Sequence, residues 1–109
     1  MSWQEHVSTF DPDTIRVLEI AEVFLGRYFG HTAPEAQSLM ADFWKLYAVR
    51  CDEDFVHHES SYRLAALIHY VQALGGHIDA AGEWLVEHGH NNPPKEAIEY
   101  FREHYFAVR

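Results

Sequence analysis

Cys51 is the only cysteine among 109 residues, so no disulfide can close within the chain, and a reducing compartment fits best. Positive charge is scarce too. Eight Lys and Arg stand against seventeen Asp and Glu, which leaves a net charge of −9. That balance disfavours nucleic acid and anionic membrane surfaces as partners, because both require a basic face. No apolar run approaches the ~18 residues of a membrane span. The opening residues, Met1 to His6, lack a basic region and an apolar stretch, so no signal peptide is expected and the reading is cytoplasmic. Gly75-Gly76 has neither the preceding strand nor the Lys of a phosphate loop. No serine sits in a Gly-x-Ser-x-Gly elbow. β-alternation, internal repeats and low-complexity stretches are missing as well.

What is there is apolar and aromatic. Hydrophobic residues make up 48% of the chain and Phe, Trp and Tyr 15%, which argues against disorder. The length is that of one common domain. We expect a single all-α domain over residues 1–109, a compact bundle of four to five helices with a central apolar helix.

Caps and periodicity place those helices. Asp11-Pro12 opens the first, with Phe10 and Ile15 at staple positions. Val17, Leu18, Ala21, Phe24, Leu25, Tyr28 and Phe29 form its apolar face, and Gly30 stops it. Thr32-Ala33-Pro34-Glu35 fits a capping box for a second helix reaching about Arg50, with Ala36, Leu39, Met40, Phe43, Leu46 and Tyr47 inward. The third helix is the most apolar, from Tyr62 to Leu74. Either Asp52 or Ser60 can cap it, and Phe55-Val56 can form a separate turn. Asp79 caps a fourth helix running to about His88, where Gly89 stops it. Asn92-Pro93-Pro94 opens the fifth, with Ala97, Ile98, Phe101 and Tyr105 inward.

Nine histidines accompany the acids. Were all protonated, the net charge would fall to zero, a change that ordinary histidine pKa values of ~6.5 place in mildly acidic solution. Reduced solubility is therefore expected near pH 5.3, the sequence pI. His57-His58 lie beside Asp54 and Glu59, and Glu87-His88-Gly89-His90 holds one Glu-x-x-His spacing of the kind that binds metal in helical bundles. One such spacing is half of that pattern, so no metal and no cofactor is expected.

Arg63-Leu-Ala-Ala-Leu-Ile-His69 resembles the spaced Arg–His motif of HEPN-domain ribonucleases. That family is also small and all-α. The resemblance implies Arg63 and His69 as groups acting on the scissile phosphate of RNA. The family usually has a polar residue after the Arg, where this chain has Leu64. Cys51 near His57 and His58 lacks any surrounding protease signature.

Asp79, Glu83 and Glu87 recur every four residues on one face of the fourth helix, and Glu96, Glu99 and Glu103 form a similar ridge on the fifth. Asp52, Asp54 and Glu59 lie in the densest acidic patch, and Trp84 adjoins the first ridge. In size, acidity and helical content the whole chain resembles the immunity proteins of bacterial toxin–immunity pairs. The resemblance implies a non-catalytic toxin inhibitor whose partner is a basic, nuclease-type toxin domain, with no nucleic-acid, membrane or small-molecule partner. The candidate contacts are Asp52, Asp54, Glu59, Asp79, Glu83, Trp84 and Glu87, for steering by charge and burial of an aromatic anchor.

Overall fold

A computed structural model describes residues 2–106. In chain order these form a 3₁₀ turn (Trp3–Val7), α1 (Pro12–Phe29), α2 (Ala33–Tyr47), α3 (Glu53–His57) and α4 (Ser61–Ile68). A π turn (His69–Ala73), a second 3₁₀ turn (Ile78–Ala80), α5 (Ala81–Glu87) and α6 (Lys95–Phe106) follow. No strand occurs among the described residues, so the fold is all-α. No described helix is long and apolar enough to cross a membrane.

Among the described residues there are six α-helices rather than four or five, because the third expected helix is two. Asp52 and Ser60 both cap. The Asp52 carboxylate accepts from Phe55 N–H at 3.0 Å and starts α3. Ser60 Oγ accepts from Arg63 N–H at 3.1 Å and starts α4. Each cap satisfies an N–H that the first helical turn leaves without a partner.

α1 packs against α2, α3, α4 and α6, and so shares the centre of the molecule with the more apolar α4. Small residues bring α1 and α4 close. Ala21, Ala65 and Ala66 are buried, and the buried Ser61 hydroxyl donates to the Val17 carbonyl at 2.7 Å. The capping box of α2 is complete: Thr32 N–H donates to Glu35 Oε1 at 2.8 Å, and Glu35 N–H to Thr32 Oγ1 at 3.2 Å. Asp11 holds the N-cap position of α1, but its side chain caps nothing. Glu53 from α3 accepts the Asp11 N–H instead. Asp79 likewise does not cap α5. It lies within the second 3₁₀ turn, where His77 Nδ1 accepts its N–H at 3.2 Å.

The Trp3–Val7 turn is absent from the sequence expectations, yet Trp3 and Val7 are fully buried and the turn packs on α2. With it comes Trp44, also fully buried. Leu46, expected inward, is 68% exposed, and Leu74 and Ile98 also show much of their surface.

Candidate functional site

The seven candidate contacts divide by what already holds them. Asp52, Asp54, Glu83 and Glu87 are exposed. Asp52 is spent partly on its cap, and Asp54 lies 3.8 Å from His58. Two of the seven have arginine partners. Glu59 Oε1 is 3.0 Å from Arg63 Nε, and Asp79 bonds to Arg50. Burial raises the Glu59 carboxyl above its ordinary pKa against the pull of Arg63. Hydrogen bonding and the charge of Arg50 hold Asp79 below its own.

Trp84 is neither an isolated anchor nor a core residue. It is half-buried in a stack of rings, with Tyr70 on it at 4.8 Å between centroids and His88 at 4.7 Å. His90 and His69 lie 5.3 and 6.3 Å away. The stack belongs to a larger cluster of imidazoles. His31 Nε2 and His69 Nδ1 are 2.8 Å apart and share one hydrogen. His69 stacks on Phe29 at 4.9 Å. The Tyr62 hydroxyl meets His90 Nδ1 at 2.9 Å. Burial lowers the pKa of His69, helped by His31 and His90. Burial lowers that of His90 too, helped by His88.

Helix ends build this cluster. Gly30 and Gly89 both have φ near +75° (75° and 72°), the left-handed conformation in which glycine ends a helix without steric cost. Each turns the chain back, so that His31 N–H reaches the Leu25 carbonyl and His90 N–H the Leu85 carbonyl. The histidine after each glycine thereby lands over the end of its own helix. His31 was not among the residues singled out from the sequence. The Gly-His pairs at 30–31 and 89–90 are the signal that marks it.

Arg63 and His69 turn to different partners. Arg63 faces Glu59 and bonds to Asn91, whereas His69 bonds to His31. Six residues at about 100° each put the two side chains roughly 120° apart around a helix. The π turn begins at His69 itself. Cys51 is buried, and burial pushes its thiol up to about 11, the opposite of an activated nucleophile. It lines a cleft of about 270 Å³ with Arg50, Glu59, Arg63, Phe55 and Leu85, in which both arginines are already paired.

Among the described residues, one group has three potential metal ligands close together: Asp11, Glu53 and His57. Its donors are already used in joining α3 to α1. The buried Thr14 has one hydroxyl hydrogen and gives it to Glu53 Oε2 at 2.9 Å, so it accepts from His57 Nε2–H at 2.8 Å. Glu53 also accepts from Asp11 N–H at 2.6 Å. These bonds hold Glu53 below the ordinary carboxylate pKa. His88 and His90 do not converge with Glu87. The ring of His88 bonds to the Trp84 carbonyl, and that of His90 to Tyr62.

Compared with known proteins, the chain matches no family model, no curated protein and no solved structure.

Proposed function

We propose that this chain is a non-catalytic protein-binding module, an immunity protein that neutralises a basic, nuclease-type toxin domain by covering it in the cytoplasm. One observation carries the reading. Of the seventeen carboxylates, all within the described residues, only Glu19, Glu59 and Asp79 meet an arginine or lysine. Among the described residues the other fourteen have no arginine or lysine partner, which is the arrangement that draws in and orients a basic surface. Asp52, Asp54, Glu83 and Glu87 provide the charge. Trp84 provides a rigid aromatic patch beside the last two. Glu59 and Asp79 would take part only by exchanging an internal arginine for one from the partner.

The test is affinity capture at low salt from lysate of the source organism, followed by assay of what is captured. The reading predicts one dominant basic protein, released by moderate salt, whose toxic activity is abolished at equimolar ratio. Purified protein that cleaves RNA, and loses cleavage but not its fold with His69→Ala, would instead establish the ribonuclease reading.

A further inference from the structure

Three chain segments meet around three imidazoles: His31, in the loop after α1, bonds to His69, in the π turn after α4, and His69 and His90, in the loop after α5, both pack on Phe29 and Trp84. We propose that His31, His69 and His90 form a proton-operated latch, which holds these segments together while neutral and releases them on mild acidification. The latch is a property of the folded chain and does not rest on the binding reading.

The argument starts from the single hydrogen between His31 Nε2 and His69 Nδ1. A neutral imidazole has one N–H and one acceptor nitrogen, so two neutral rings make one good hydrogen bond. Adding one proton keeps it, because one facing nitrogen can still accept. Adding a second removes the acceptor. Two N–H groups then point at each other, on cations whose ring centres are 5.0 Å apart. The pair is therefore closed with up to one extra proton and opens with two.

The surroundings decide how easily that second proton enters. Glu35, on the first turn of α2, is the carboxylate that faces His31. Its oxygen is already engaged by the Thr32 N–H. His69 faces His90, which in turn faces His88 and the Tyr62 hydroxyl. Arg63, on the helix that leads to His69, reaches Asn91 next to His90, and its charge is already paired with Glu59. Phe29 and Trp84 wall the cluster with ring faces, which favour a cation only weakly. Protons on His69 and His90 are therefore opposed by burial and by the neighbouring imidazoles, while the one facing carboxylate, Glu35, lies against His31.

The directions of the shifts agree with the geometry. His69 and His90 are lowered from 6.5 in the folded chain. The unfolded chain then binds protons first. Stability contributed by these groups is complete above about 6.5 and declines as pH falls toward the lower folded value.

The test is an NMR titration of the imidazole signals of the intact chain, from about pH 8 to about pH 4.5. The latch predicts that His31 and His69 titrate jointly in two separated steps, and that the lower step moves the Trp84 indole N–H signal. His69→Asn keeps a hydrogen-bonding amide near the place of Nδ1 but cannot titrate. Its thermal midpoint should fall by less than half as much as the wild-type value between about pH 7.5 and about pH 5.5. His31→Gln serves the same purpose if His69→Asn does not fold. Single, independent titrations of His31 and His69 near the ordinary value, with Trp84 unmoved, would overturn the latch. So would a folded variant that keeps the full wild-type fall.

Discussion

Thr14 shows how much a single hydroxyl can organise. It is fully buried, and through it the imidazole of His57 and the carboxylate of Glu53 are both tied to α1. Thr14→Val keeps the shape and removes both bonds. We expect a loss of about 0.5–1.5 kcal/mol in urea unfolding, the net worth of ordinary hydrogen bonds, because the exposed His57 and half-buried Glu53 can turn to water. A change within the error of the measurement would show that these bonds add nothing net. Gly76 is a second such residue. A β-carbon there would run into the ring of Tyr70, which stacks on Trp84. Gly76→Ala should cost about 1–3 kcal/mol and shift the Trp84 signals, as overpacking forces the ring aside. Unchanged stability and spectra would mean that the ring moves freely.

α2 shows where a helix can and cannot be read from sequence. Its start is legible, because Thr32 and Glu35 form the capping box that their spacing demands. Its buried face is only half legible. A period of 3.6 residues finds Ala36, Met40 and Phe43, but it assigns Leu46 to the core and says nothing of Trp44. The reason lies outside the helix. The Trp3–Val7 turn covers a second face of α2, and Phe10 meets Trp44 edge-on at 6.5 Å. Five residues of 3₁₀ turn are too short to carry a periodicity of their own. We predict that Leu46→Ser changes stability by no more than about 0.5 kcal/mol, whereas Trp44→Ala costs about 3–5 kcal/mol. Comparable losses from both would contradict the observed facing of α2. The candidate site follows the same pattern. The acids of α5 were visible as a four-residue repeat. The imidazole cluster was not, because His31 bonds to His69 and His90 reaches them through Phe29 and Trp84, contacts that the fold alone creates.

The whole molecule is an acidic body whose charge is largely uncompensated, and its response to pH should occur in two stages. The lowered histidines erode stability below about 6.5. Glu35 and Glu53, held below 4.5 by hydrogen bonds, keep their contribution above about 4.5 and lose it as pH falls further. Glu22 and Glu59, raised by burial, act in the opposite sense and add stability as pH falls through their raised values toward about 4.5, between the two stages. Thermal midpoints measured from about pH 8 to about pH 3 should therefore fall in two limbs, and a single limb confined to the carboxylate range would show the histidines to be silent. At neutral pH the same charge is the basis of the binding reading. The decisive measurement is low-salt capture by the wild-type chain alongside a folded variant carrying Asp52→Asn, Asp54→Asn, Glu83→Gln and Glu87→Gln. The reading predicts a basic partner on the wild type and at least tenfold less of it on the variant. Equal capture by both, or none by either, would contradict it.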